Sequence, residues 1–189
     1  MRKLQRDIKN CTLCEKYLPL GTNPVFQFAK GTPIMIIGQA PGKKVHETGI
    51  PWDDASGIRL REWLGVSEEE FYNEKIIGLI PMGFCYPGKG KSGDLPPRQE
   101  CAPTWHSKIF KAVGDVRLTI LIGQYAQRYY LRDSVKPSLT ETVKSFKNFL
   151  PGIIVLPHPS PRNNIWLRKN PWFSKDLLPV LRKKVKAIL

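Results

Sequence analysis

The chain has 189 residues, and its 30 lysines and arginines against 16 aspartates and glutamates give a formal charge of +14. At 41% hydrophobic residues it can bury a sizeable core, which excludes an intrinsically disordered chain. No apolar run reaches the roughly 18 residues that a bilayer crossing needs, so a membrane-spanning class is excluded too.

The N-terminus, MRKLQRDIKNC, is basic and lacks an apolar signal region, which predicts a cytoplasmic protein. Cys11 and Cys14 follow as a Cys-x-x-Cys pair, and Cys85 and Cys101, separated by 15 residues, complete the set of four. In a reducing compartment such cysteines are more often metal-binding or redox-active than bridged. Four thiolates are the ligand set of a [4Fe-4S] cluster. A four-cysteine zinc site is the rival, although zinc ribbons more often show two Cys-x-x-Cys pairs, and unligated buried thiols are the third reading.

Four short apolar runs predict strands: 33–38 (PIMIIG), 75–82 (KIIGLIPM), 118–123 (LTILIG) and 152–156 (GIIVL). Continuous runs of this kind are typical of parallel strands covered on both faces. Helical patterns lie at 57–64, 98–113, 124–131 and 139–149, the last ending before Pro151, and a final helix is expected after Pro171. The alternation predicts an α/β fold, a three-layer sandwich with a central, mainly parallel four-stranded sheet flanked by helices. No repeat or long linker divides the chain, so residues 1–189 read as one domain, and nothing in the pattern demands a dimer.

Residues 162–189 carry eight basic side chains (Arg162, Arg168, Lys169, Lys175, Arg182, Lys183, Lys184, Lys186) and one acid, Asp176. A solvated helix face explains such a run by itself. Its pairing with Trp166, Trp172 and Phe173 favours a polyanion surface, nucleic acid first and membrane surface second, because cations neutralise phosphates while aromatics stack or wedge.

The unusual residues follow the predicted strands. They are Gly38-Gln39-Ala40-Pro41-Gly42, Phe84-Cys85-Tyr86-Pro87-Gly88, Gly123-Gln124-Tyr125 and His158-Pro159-Ser160-Pro161-Arg162-Asn163. Loops at the carboxyl ends of strands in an open α/β sheet form ligand crevices, so these four are expected to converge. The glycines of the first loop permit close backbone approach, and the prolines of the last make a rigid loop carrying an imidazole, a hydroxyl and a guanidinium.

The GQAPG and HPSPRN motifs, with GIPWDDASG (49–57) between them, resemble the uracil-DNA glycosylase superfamily. The middle block is similar to its iron–sulfur branches, families 4 and 5, and Asp-Ala-Ser-Gly to family 5. The resemblance runs from about Cys11 to Asn163. It implies a monofunctional DNA N-glycosylase of base excision repair, a hydrolase that flips a deaminated base, uracil foremost, out of DNA and leaves an abasic site. It also implies a [4Fe-4S] cluster on Cys11, Cys14, Cys85 and Cys101. Relatives carry Asp or Asn at the position of Ala40, which cannot activate water; the resemblance transfers that role to Asp54, with Asp53 beside it as the alternative. His158 would stabilise the departing base. Gly38, Gln39, Ala40 and Trp52 would contact the base, and Ser160, Pro161, Arg162 and Asn163 the DNA. The simplest alternative for either aspartate is a cap on the helix starting near Ser56.

Pro81 stands where uracil-reading relatives carry an asparagine, which removes a side-chain amide from the expected pocket. Two other functions fit the residues less well. One is an iron–sulfur DNA-binding module with the glycosylase fold and no excision, motivated by Ala40 and Pro81. The other is an enzyme acting on free nucleosides, which leaves the basic C-terminal stretch without a purpose.

Overall fold

A computed structural model describes residues 1–91 and 93–189. Helices α1 (Arg2–Lys9), α2 (Lys43–Thr48), α3 (Ala55–Leu64), α4 (Glu68–Tyr72), α5 (Cys101–Val113), α6 (Gly123–Leu131), α7 (Leu139–Lys144), α8 (Asn164–Lys169) and α9 (Leu178–Lys186) surround strands β1 (Ile34–Gly38), β2 (Ile77–Pro81), β5 (Leu118–Ile122) and β6 (Ile153–Leu156). A short hairpin, β3 (Lys89–Gly90) and β4 (Gly93–Asp94), lies between β2 and α5.

The four-stranded sheet has the order β2-β1-β5-β6, and every pairing is parallel, with Ile34 level with Ile77 and with Leu118. All five β1 residues are buried, and since successive side chains point to opposite faces, both faces are covered. The α/β sandwich expected from the apolar runs is the observed architecture. Among the described residues no helix is long and apolar enough to cross a membrane.

Several elements differ from the sequence expectation. The segment 139–149 is helical only to Lys144 and continues as a 3₁₀ turn over Phe146–Phe149. The last helix is entered through a π-helical turn, Phe173–Leu177. Helix α1 went unpredicted because its one buried residue is Ile8, too little apolar periodicity to register. Helix α4 is short, with too few residues for apolar periodicity, but carries a complete capping box, Ser67 with Glu70.

Candidate active site

The carboxyl ends of β1, β2 and β6 open onto a cleft. Gly38, Gln39, Ala40 and Pro41 enter it from β1, Leu79 and Pro81 from β2, His158 from the loop after β6, and Trp52 and Asp54 from the approach to α3. Two of the four predicted loops do not contribute: Phe84 and Cys85 turn to the cysteine cavity and none of residues 84–88 lines the cleft, while α6 begins at Gly123 itself and Gly123-Gln124-Tyr125 are absent from the lining.

Two glycines shape the wall around Trp52. Trp52 has φ +59°, a left-handed conformation unusual for a bulky side chain. Its carbonyl lies so close to Gly57 that a Cβ there would sit 1.8 Å from the oxygen. A Cβ on Gly38 would come within 2.8 Å of the indole. The indole stacks on the His158 ring, 5.6 Å between centroids and 29° from parallel. Trp52 is therefore half-buried at the cleft, packed on the core at its inner side rather than submerged in it.

The two adjacent aspartates part company. Asp54 is the N-cap of α3, its Oδ1 accepting the Gly57 amide at 2.9 Å, and it also lines the cleft. Helix capping and placement in the site are thus both properties of Asp54. Asp53 lies outside the lining and pairs with Lys44 at 3.3 Å.

His158 is held from three sides. The Ser160 amide donates to its Nδ1 at 3.2 Å, and the Asn163 side-chain amide donates to its carbonyl at 2.7 Å. Arg59 of α3 donates to the Ser160 carbonyl at 3.1 Å, tying the loop to the helix that Asp54 caps. Burial lowers the imidazole pKa, and the negative Asp54 opposes that shift. The neutral ring, its Nδ1 already accepting, carries its proton on Nε2.

A third carboxylate stands near, and sequence reasoning missed it. Asp94, in β4, has its pKa raised by partial desolvation; Arg162 and Lys89 oppose the shift and Asp54 adds to it. Its Oδ2 is 3.6 Å from where a Cβ on Gly42 would be. The hairpin brings it to the GQAPG loop, a placement no motif in the sequence signalled.

The four cysteines come together at a separate, small cavity bounded by the end of α1, the loop after β2 and the start of α5. Burial pushes the Cys85 thiol up to about 11 and Cys101 up to about 12. Cys14 is also raised by burial, against the pull of neighbouring Arg98. Arg98 lines this cavity too, paired with Glu100 at 2.5 Å and 4.2 Å over the Tyr17 ring, while its Nε is buried without a partner. Among the described residues no three or more His, Cys, Asp or Glu side chains are grouped closely enough to hold a metal.

Of the three C-terminal aromatics, Phe173 is corrected from a stacking group to a packing group, while Trp166 and Trp172 are half-buried. Phe173 is fully buried against Trp63, and the Trp166 indole donates to Thr140 at 2.8 Å. Arg182 is likewise engaged, donating to the Trp63 and Glu62 carbonyls at the end of α3. Arg162, Arg168 and Lys169 remain exposed around the His158 loop, and Ser160 Oγ accepts the Arg162 amide.

The chain is similar to known proteins. A type-4 uracil-DNA glycosylase of Thermotoga maritima is 26% identical over 165 residues, covering 85% of this chain and 81% of its own. The solution NMR structure of a candidate uracil DNA glycosylase from Methanosarcina acetivorans covers 85% of this chain and 98% of its own, at 18% identity and a TM-score of 0.47. Residues 25–182, from the strand edge before β1 into α9, match the uracil DNA glycosylase superfamily, and the chain belongs to that superfamily.

Proposed function

We propose that the chain is a monofunctional DNA glycosylase of base excision repair, which takes a deaminated base, uracil foremost, into the cleft and hydrolyses its N-glycosidic bond. The observation that supports this most directly is that Asp54 and His158 line the same cleft as Gln39 and Trp52. A base inside a duplex is out of reach, so the nucleotide is first flipped; Arg162, with Ser160, Pro161 and Asn163, meets the DNA at the mouth. The extruded base lies against Trp52. With Pro81 offering no amide, Gln39 presents the donor and acceptor that meet the N–H and C=O edge shared by deaminated bases.

As the bond breaks, positive charge grows on the sugar and negative charge on the base. The Asp54 carboxylate stabilises the first, orients a water towards the sugar carbon and receives its proton. The His158 Nε2–H donates to the oxygen of the departing base. The hydrolysis needs no lysine adduct, so the product is an abasic site.

Cys11, Cys14, Cys85 and Cys101 would hold a [4Fe-4S] cluster. The fit rests on four thiols sharing one cavity and on the unpartnered Arg98 Nε beside them. Such a group supplies cross-links between three chain segments.

A binding module without excision has one observation in its favour: Asp54 Oδ1 is occupied by the Gly57 amide and Ala40 supplies only a methyl group. Base release from oligonucleotides carrying uracil, hypoxanthine or xanthine, single- and double-stranded, separates the two. Release by the wild type that Asp54→Asn abolishes supports the enzyme. DNA binding without release of any of the three supports the module.

A further inference from the structure

β2 is an edge strand of the sheet, and its outward carbonyls are closed by groups from elsewhere in the chain. The Gln27 side chain donates to Ile77 at 2.8 Å, the Gln27 backbone exchanges hydrogen bonds with Leu79, and the His106 ring reaches Pro81 at 3.0 Å. Leu79 and Pro81 are also cleft residues, so the same edge forms part of its wall.

His106 is 2% exposed, and both ring nitrogens are used. The Pro81 carbonyl can only accept, so Nε2 carries the hydrogen and Nδ1 accepts from the Tyr130 hydroxyl at 2.7 Å. Burial holds the pKa down at about 4, so the ring stays neutral and both bonds persist at neutral pH. Tyr130 is stacked on the ring at 5.9 Å, with Phe84 edge-on at 5.8 Å, which leaves the imidazole one orientation.

We infer that His106 is a positioning residue: with Tyr130 behind it, it fixes the Pro81 peptide, and through it the part of the cleft wall against which a flipped base is aligned. The inference rests on the glycosylase reading of that cleft. A loosened wall misaligns the base for bond cleavage while leaving the DNA contacts of the His158 loop intact, so the loss falls on turnover rather than on DNA affinity.

The test compares wild type, His106→Phe, His106→Gln and Tyr130→Phe in single-turnover release of uracil, with DNA affinity measured in parallel and rates normalised to the folded fraction. His106→Phe is expected to lose about ten-fold or more in rate with affinity within about two-fold. His106→Gln, which keeps an N–H for Pro81, is expected to recover most of that rate. If His106→Phe does not fold, Tyr130→Phe, which removes only the hydroxyl behind the ring, is expected to lose about two- to five-fold. Equal rates per folded molecule in all four proteins, or a glutamine variant as slow as the phenylalanine one, would overturn the positioning role and leave the glycosylase reading standing. A wild type that releases no base overturns both.

Discussion

The indole of Trp52 lies nearly parallel to the imidazole of His158, ring centres 5.6 Å apart, although 106 positions separate the two in sequence. The contact depends on Gly57 and Gly38, which leave space for the Trp52 carbonyl and ring. Gly57→Ala is expected to destabilise the protein by about 3 kcal/mol or more, because its Cβ would meet a backbone oxygen that cannot swing away. Gly38→Ala meets the movable ring instead, so its thermal midpoint is expected to fall less than that of Gly57→Ala while base release falls sharply. Calorimetry beside the release assay distinguishes the two, and a Gly57→Ala protein as stable as wild type would contradict the geometry.

Asp54 combines two duties that substitution can separate. Asparagine is as good an N-cap as aspartate, so Asp54→Asn should keep the α3 cap and the thermal midpoint while turnover drops about 10²-fold or more. Asp54→Ala loses both, with about 1 kcal/mol of stability going with the cap. Asp53→Asn, outside the cleft lining, is expected to retain most of the rate.

Stability should fall on acidification through the histidines. Above the ordinary imidazole value of 6.5 the His106 ring is neutral folded or unfolded; below it the unfolded chain binds a proton that the native ring refuses until about pH 4. Stability is therefore lost as pH falls across that window, on the order of 3 kcal/mol for His106, with His158 acting in the same direction. Thermal midpoints from pH 7 to 4.5 should decline less steeply in His106→Gln than in wild type.

Anaerobically purified protein is expected to contain about four iron and four acid-labile sulfide per chain, with Cys101→Ala losing both. Removing the metal leaves buried thiols that must reprotonate and frees three segments from one another, so the apo protein should melt well below the loaded one. Stoichiometric zinc without sulfide would replace the cluster with a single-ion site.

The exposed and the engaged arginines should behave differently. Arg162→Ala should weaken DNA binding and reduce its log-salt slope by about 1, as loss of one phosphate contact does. Arg182→Ala should leave the salt slope unchanged and cost about 1 to 2 kcal/mol of stability, since its guanidinium serves the carbonyls at the end of α3.

The four sheet strands were legible because buried parallel strands are unbroken apolar runs, and each lies within two residues of its expected bounds. The cleft was legible because GQAPG, the tryptophan–aspartate segment and the histidine loop all surround the carboxyl ends of those strands. Asp94 and His106 were not. Asp94 arrives on a hairpin with two residues per strand, below any periodicity, and the His106 partners Pro81 and Tyr130 lie 25 and 24 residues away. Phe173 misled because an aromatic looks the same in sequence whether it awaits a base or fills the space beside Trp63.

An edge strand usually invites company, offering a ladder of open carbonyls and amides to any extended chain that drifts past. On β2 the carbonyls of Ile77, Leu79 and Pro81 are already taken by Gln27 and His106. A foreign strand seeking that edge must first evict both residues, so the contacts that shape the cleft also guard the sheet against growing sideways into its neighbours.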